Sequence, residues 1–508
     1  MFVRCAALLL LVPAAASAQV PAEPLSPAGR RTLGIATDAG ARLWERGRAD
    51  LLAFQLDSAR AAFARLGRAE PASAAGVLGL ETAALWQGLV MESPPYTDRF
   101  YALSDSLSRV AGRLPDTPES GLVRATAVLH RAIMLAREEK YARAGLAFRD
   151  ACGQFRVIPE TVPDAHFGKG VCEAVAGAIP RTYRWLGRLL GFSGTVAGGL
   201  DRLALAGAGD GTMAIDATAA FAIVDASLNE RRAGGLDRLA EAMQSRPGSP
   251  VLAYLTSFYQ LTDRHVVEAE ANLQRAAVAL ARPGAAPFPF VDADLGMALF
   301  RQDRFAEALP LLSRYARTYR GRSLLAQRTL HAGIAAEITG DRRGAEALYA
   351  RVRAAGDYDS DRAAVREAAR RRAAPMTAAE RTLLLGQTAY DSGRLDAAIR
   401  LLQPVLTDRD QPDAVRAEAA YRTGRAYQAL GNGPEAVRHF DLVATSPGDP
   451  LARWGPWAHY HVGEIHEAAG RADDARAAYR QAVAVETAYD YHISLEQRAR
   501  TALARLDR

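Results

Sequence analysis

The stretch AAYRTGRAYQALGNGPEAVRHFDLV, residues 419–443, decides the fold of this chain of 508 residues. In it the small residue Gly424 is followed by Tyr427 three positions later and by Ala436 twelve positions later. The bulky residue Phe440 comes four positions after the alanine, and Val443 comes three positions after Phe440. The spacing occurs five times: Gly296, Leu299, Ala308, Leu312, Tyr315; Gly333, Ala336, Ala345, Tyr349, Val352; Gly386, Ala389, Ala398, Leu402, Val405; Gly424, Tyr427, Ala436, Phe440, Val443; and Gly463, His466, Ala475, Tyr479, Ala482. Such a recurrence predicts a repeat architecture.

Each copy of the spacing predicts two helices joined by a tight turn. Steps of three and four place the recurring residues on one helical face. The turns contain Gly393, Gly431 and Gly470, and glycine tolerates the left-handed geometry that ends a helix. We expect the small residue to admit the second helix and the bulky residue to pack against the next hairpin. One hairpin cannot bury its own apolar face, so the hairpins must stack into an all-α solenoid.

These spacings resemble the tetratricopeptide repeat (TPR), most closely over residues 289–353 and 379–484 and less closely over residues 250–280. The resemblance implies a TPR-type α-solenoid of helical hairpins that binds another protein. From Gly333 to Gly386 the step is 53 residues, which is longer than the repeat and predicts an insertion.

The sequence divides into seven segments. They are a signal peptide (1–18), a flexible mature N-terminus (19–31), N-terminal helical repeats (32–162), an atypical helical and Gly-rich block (163–205), central TPR-like repeats (206–353), an Arg-rich insertion (354–378) and C-terminal TPR repeats with a capping helix (379–508).

The charge pattern argues against a nucleic-acid partner. The formal net charge is +6, from 63 basic and 57 acidic residues, and all the basic residues except Lys140 and Lys169 are arginines. A compositional bias toward Ala and Arg accounts for this more simply than nucleic-acid binding, because acidic and basic residues are interspersed. The dense arginine run at residues 362–372 is typical of a solvated helix face, with contact to phosphate or anionic lipid as the alternative.

The first eighteen residues have the features of a secretory leader. Arg4 supplies the positive start, an apolar stretch follows, and Ala16, Ser17 and Ala18 form a small-residue cleavage site. We therefore expect an exported protein that is periplasmic or associated with the cell envelope and that resembles exported bacterial TPR proteins.

The two cysteines after the leader, Cys152 and Cys172, can pair in an oxidising compartment. The alternative interpretation is that they are two small buried residues in helix contacts.

The middle of the chain departs from the simple repeat. Residues 189–194, LLGFSG, resemble a feature of a eukaryotic TPR family that includes an inclusion-body-clearance protein, and that family consists of adaptors. Just before them, residues 181–190 alternate aromatic and apolar residues with arginines. Such a helix either packs inward or lies on a membrane surface, so a membrane-peripheral scaffold that binds anionic lipid is an alternative function.

The motifs of catalysis are missing from the sequence: it has no Gly-x-Ser-x-Gly elbow, no phosphate-binding Gly loop that ends in Lys-Ser/Thr, and no His-Glu-x-x-His. We expect no enzyme activity, no cofactor and no metal site. The histidines of residues 457–468 have the wrong spacing for a helical metal pair. An enzyme that uses Glu464, Glu467 and a histidine is the least favoured reading.

The first helix of each hairpin lines the concave side of a stacked solenoid. Counting from the repeat glycines places a set of aromatic and polar residues on that side: Gln387, Tyr390, Tyr421, Arg425, Gln428, Trp457, Tyr460 and Glu464. An aromatic groove with polar clamps suits an extended or helical peptide. The sequence thus predicts a non-enzymatic scaffold that binds a polypeptide in this groove, with a second copy of the chain among the partners considered.

Overall fold

The computed structural model describes residues 20–178, 193–228, 233–356, 359–443, 453–484, 489 and 491–506. Within these ranges the chain forms 25 α-helices and no β-strand, which confirms the predicted all-α class. The residues fall into two compact units. The first unit contains the described residues up to 178, those of 193–259, and 272–288; the second contains 260–271 and the described residues from 289 onward.

The helices before residue 289 are α1 (Pro27–Leu33), α2 (Asp38–Leu52), α3 (Leu56–Ala69), α4 (Ala75–Met91), α5 (Pro94–Ala111), α6 (Pro118–Arg137), α7 (Tyr141–Val157), α8 (Ala165–Ala178), α9 (Val196–Ala208), α10 (Ala214–Leu228), α11 (Gly235–Ser245), α12 (Pro250–Thr262) and α13 (Val266–Leu280). Those that follow are α14 (Pro289–Arg301), α15 (Phe305–Thr318), α16 (Leu325–Ile338), α17 (Arg342–Tyr349), α18 (Asp359–Ala373), α19 (Ala378–Asp391), α20 (Leu395–Thr407), α21 (Asp413–Ala429), α22 (Gly433–Asp441), α23 (Trp454–Ala468), α24 (Ala472–Val483) and α25 (His492–Leu506).

Five helical hairpins of the second unit are built on a close contact between the small residue and the bulky residue of the repeat. A Cβ added to the repeat glycine would lie 2.5–2.8 Å from the bulky side chain sixteen residues later; the pairs are Gly296 and Leu312, Gly333 and Tyr349, Gly386 and Leu402, Gly424 and Phe440, and Gly463 and Tyr479. The sequence placed the bulky side chain against the next hairpin. The bulky side chain does contact the next hairpin, since the Phe440 ring stacks on His461 of α23 with centroids 5.7 Å apart. It also lies over the glycine of its own hairpin, because the antiparallel return of the second helix brings the two positions opposite each other.

The turns inside the hairpins have the predicted left-handed residue. Gly393, Gly431 and Gly470 have φ angles of 77°, 76° and 74°. In the turn between α14 and α15 the same position is Asp303, with φ 63°. A non-glycine residue therefore takes the left-handed conformation at a cost there, and glycine is favoured rather than required.

The crossing of α3 and α4 in the first unit gives a test of close helix packing. A Cβ on Gly76 would lie 2.4 Å from the backbone N of Gly67 and 2.5 Å from its Cα. Backbone atoms cannot move aside, so we expect Gly76→Ala to destabilise the first unit by about 2 kcal/mol. The measurement is urea denaturation followed by circular dichroism.

Gly153 on α7 is the matched control, since a Cβ there would meet nothing within 4 Å. Gly153→Ala should stabilise the unit by up to about 1 kcal/mol, because alanine has the higher helix propensity. Equal effects of the two substitutions would contradict the close crossing.

The arginine run of the insertion forms α18. Arg366, Arg370 and Arg372 are exposed, as a solvated helix face requires, whereas the other side of the helix is buried. Asp361, Ala363, Ala364, Ala368 and Arg371 are buried, and α18 packs against α16 and α17. The small alanines allow this close contact. The buried Arg371 donates from Nε to the Glu367 carboxylate at 2.5 Å, so its charge is paired within the helix.

A disulfide joins Cys152 of α7 to Cys172 of α8, with their Cα atoms 5.7 Å apart. The leader at residues 1–18 and the segment 179–192, which includes most of the aromatic helix of the middle block, lie outside the described residues. Among the helices that the structure describes, none is both long and apolar enough to cross a membrane.

Candidate partner-binding face

The helices α16, α19, α21 and α23 are the first helices of four hairpins in the second unit. The side of these helices that carries Tyr390, Arg425 and His461 is called here the first-helix face. On it, side chains from α19, α21 and α23 bond to one another across successive hairpins. Residues one repeat apart in sequence therefore become neighbours in space, as the predicted solenoid requires.

A polar network runs along this face. Arg425 donates from Nη2 to the hydroxyl of Tyr390 (3.0 Å) and from Nη1 to Nε2 of His461 (2.6 Å). The Tyr421 hydroxyl also lies 3.1 Å from His461 Nε2. On the other side of the ring, His461 Nδ1 lies 2.7 Å from Glu464 Oε2, which also accepts from Gln428 Nε2 at 3.1 Å. Five of the eight predicted groove residues thus belong to one network around His461: Tyr390, Tyr421, Arg425, Gln428 and Glu464. The other three, Gln387, Trp457 and Tyr460, lie outside it.

The geometry assigns His461 a neutral tautomer. Its Nδ1–H donates to Glu464, which leaves the Nε2 lone pair to accept from Arg425 and Tyr421. Burial, with the nearby charge of Arg425, lowers the pKa of His461 to about 4. Burial alone would disfavour the Glu464 carboxylate, but the hydrogen bonds from His461 and Gln428 and the charge of Arg425 lower its pKa to about 2.

Two polar atoms of the network lack a hydrogen-bond partner among the described residues: the Nε of Arg425 and the Oε1 of Gln428. A buried donor or acceptor without a partner costs free energy. The two atoms offer one donor and one acceptor, the complement of the C=O and N–H of a peptide group. Their side chains would have to turn outward to meet a ligand, because both atoms are buried in the present arrangement.

The other three predicted residues have different surroundings. Trp457 is half-buried and its ring lies 5.9 Å from that of His461, so it flanks the network. Tyr460 is 7% exposed and packs on Tyr479, so it supports the face from beneath. Gln387 has a long contact of 3.5 Å to Asp391 and lines the cavity described next.

A cavity of about 630 Å³ opens beside the network, bounded by α16, α18, α19, α21 and the start of α23. Its charged lining consists of Arg366, Arg370, Arg371, Arg422 and Arg453 with Glu367, Glu380 and Glu418. Its apolar lining includes Leu330, Leu383, Leu384, Val415 and Trp454. The sequence prediction missed this cavity: of the positions six residues before a repeat glycine its groove set included only Trp457, and it included no position two residues before a repeat glycine.

A signal for the cavity is nevertheless present in the repeat register. Six residues before the repeat glycines stand Gln327, Glu380 and Glu418, and two residues before them stand His331, Leu384 and Arg422. All six line the cavity. The arginines of α18 carry no such signal, because α18 lies outside the repeat.

The two carboxylates of the enzyme reading lie in different surroundings: Glu464 bonds to His461 in the network, and Glu467 bonds elsewhere. Glu467 accepts from the Tyr479 hydroxyl at 2.8 Å and from Arg505 at 2.6 Å, so it ties α23 to α24 and α25. The lone pair of His461 is occupied by two donors, which leaves none for a substrate proton. Within the part of the chain that the structure describes, no three His, Cys, Asp or Glu side chains converge as metal ligands.

No protein-family model and no curated protein matches this chain. Solved structures similar to it include the Cut9–Hcn1 hetero-tetramer of the APC/C (12% identity over 94% of this chain and 98% of that chain, TM-score 0.26). Others are the TPR domain of P58(IPK) (13% identity, 93% and 98%, TM-score 0.21) and yeast Tom70 (11% identity, 94% and 91%, TM-score 0.31). The assignment of a TPR-type fold here rests on the hairpin geometry of the chain itself.

Proposed function

We propose that this chain is an exported, non-enzymatic scaffold of the cell envelope that binds a polypeptide partner on the first-helix face of its second unit. The observation that carries the proposal is the polar network from Tyr390 to Gln428, which three successive hairpins build on one face. Its residues are held by one another before a partner arrives. Binding then requires little ordering of side chains, which favours affinity.

The half-buried edge of the face is the part that a partner can reach without disturbing the network. Trp457 and Gln387 flank it on α23 and α19. An aromatic anchor beside polar groups is typical of the residues that contribute most to protein–protein affinity. Tyr421 and Arg425 are more deeply enclosed, so changing them would disturb the hairpins as well as the surface.

The test is crosslinking in intact cells, identification of the captured protein, and titration of the purified pair. We expect Gln387→Ala/Trp457→Ala to weaken binding at least about tenfold, which corresponds to about 1.4 kcal/mol. The matched control is Arg438→Ala/Leu442→Ala, at the second helix of a hairpin, where both side chains are largely exposed.

The helicity of both variants, measured by circular dichroism, should equal that of the wild type. A partner whose affinity is the same for wild type and Gln387→Ala/Trp457→Ala would refute the first-helix face as the binding site. Equal losses in the two double variants would do so as well, since the effect would then not be specific to that face.

A further inference from the structure

The cavity beside the polar network has the size and enclosure of a ligand site. Its volume of about 630 Å³ lies within the roughly 300–1,000 Å³ typical of small-molecule sites. Its walls come from the first helices of four hairpins, α16, α19, α21 and α23, from α18 of the insertion, and from Tyr491. The insertion therefore closes a space that the repeats alone would leave as an open groove.

The lining of the cavity is positively charged. Among the residues that the structure describes, the lining has five arginines and three glutamates, an excess of two positive charges. Arg370 bonds to Glu367 and Glu380, and Arg422 donates to Glu418. All three carboxylates of the lining are thus already engaged by arginines.

Among the described residues, other acidic groups near the cavity reduce this excess without removing it. Asp359 accepts from Arg362 and Ser494, and Asp361 accepts from the backbone N of Ala355. Burial and the charge of Arg328 lower the pKa of His331 in the lining to about 3, so that ring is neutral at physiological pH.

Two of the arginines hold their charge in surroundings that disfavour it. Arg371 is 7% exposed, and its Nη1 has no hydrogen-bond partner among the described residues. Burial lowers the pKa of Arg453. A buried donor without an acceptor, here Nη1 of Arg371, costs free energy that an arriving anion would recover by accepting from it.

Beside the arginines lies an apolar wall. Leu330, Leu383 and Leu384 come from α16 and α19, and Trp454 closes the far side. The guanidinium of Arg453 stacks over the Trp454 ring at 4.1 Å, and that of Arg422 lies 5.3 Å from its centroid. Basic and apolar surfaces therefore meet within the reach of a single ligand.

We propose that this cavity binds a ligand that carries two acidic groups on an apolar body. The acidic groups accept from the arginines of α18 and from Arg453, and the body lies against the leucines and Trp454. Guanidinium groups are well suited to this role, because they bind carboxylates through paired hydrogen bonds. The proposal depends on the cavity alone and stands whether or not a polypeptide binds the first-helix face.

Calorimetric titration of the full chain at low ionic strength tests the proposal and separates two sources of such a ligand. One probe is azelate, a free dicarboxylate with an apolar chain; the other is an acetylated and amidated Asp-Leu-Leu-Asp peptide. Each is paired with its neutral amide analogue. We expect at least one acid to bind at least about tenfold more tightly than its neutral analogue. Azelate binding would indicate a free metabolite, and peptide binding alone a partner segment.

Substitutions of lining residues test whether the ligand binds in the cavity. Arg453→Gln and Arg366→Gln should each weaken it at least about tenfold, and Glu418→Gln should strengthen it, since each changes the net charge of the cavity by one unit. Arg366 is exposed, so its replacement leaves the helix packing intact if Arg453→Gln fails to fold. Arg438→Gln removes an exposed charge on α22 and should have no effect.

The proposal is overturned if neither acid binds more tightly than its neutral analogue. It is also overturned if Arg366→Gln and Arg438→Gln bind the acid as tightly as each other, because the binding would then reflect net charge rather than the cavity.

Discussion

Acidification from about pH 7 to about pH 4.5 is expected to destabilise the second unit by about 5 kcal/mol, half of it from His461 and half from His331. His461 is buried and His331 is partly buried at the wall of the cavity. Burial and the charge of Arg425 lower the pKa of His461 to about 4, and burial and the charge of Arg328 lower that of His331 to about 3. The usual value in an unfolded chain is about 6.5.

The sign follows from the number of protons that each state binds. Below about pH 6.5 the unfolded chain protonates both histidines while the folded unit keeps them neutral, so the unfolded state gains stability as the pH falls. The loss begins near pH 6.5 and grows until the pH reaches the folded pKa values. Glu464, whose pKa is lowered to about 2, adds its own loss only below its unfolded value of about 4.5.

Urea denaturation at several pH values measures the loss of stability. Hydrogen exchange of α16 and α23 shows that the loss occurs in this unit. His461→Gln and His331→Gln should each remove about half of the dependence between pH 6.5 and pH 4.5, although each variant starts from a lower stability at pH 7. The variant with both changes should keep only a weak dependence in this window, to which His459, whose pKa is also lowered by burial, contributes. A wild-type slope retained in that double variant would show that other groups cause the acid sensitivity.

The hairpins of the second unit could be predicted from sequence because the deciding contacts are local. Gly424 and Phe440 are sixteen residues apart, and one turn brings them together. The left-handed turn residues follow from the same local rule, as Gly431 shows. The contact of each bulky residue with the glycine of its own hairpin was not predicted, because a spacing alone does not reveal that one side chain can contact both its own partner helix and the next hairpin.

The candidate site could be predicted only in part. The register of the repeat brings Tyr390, Arg425 and His461 to one face, but which atoms bond depends on side-chain conformations that no spacing encodes. The insertion was harder to predict. A run of arginines among alanines has the composition of a solvated helix, and the burial of Arg371 depends on Glu367 and on how closely α18 approaches α16.

Loss of the disulfide between Cys152 and Cys172 is expected to destabilise the first unit by about 3 kcal/mol. The two cysteines are 20 residues apart in sequence, and closing a loop of that length removes conformational freedom chiefly from the unfolded chain. The bond ties α7 to α8, whose other contacts include the buried Phe155 ring over Gly168. These apolar contacts remain after reduction, so the fold should persist with a lower unfolding midpoint.

The measurement compares the urea midpoint of the oxidised wild type with that of Cys152→Ser/Cys172→Ser and of the reduced wild type. The reduced protein and the double variant should agree, because both lack the crosslink and differ by only two small side chains. The second unit contains no cysteine, so hydrogen exchange in α21 and α23 should be unchanged and serves as the internal control. An unchanged midpoint in the first unit would mean that the reduced chain already holds the two helices together, so the crosslink would contribute no net stability to this unit.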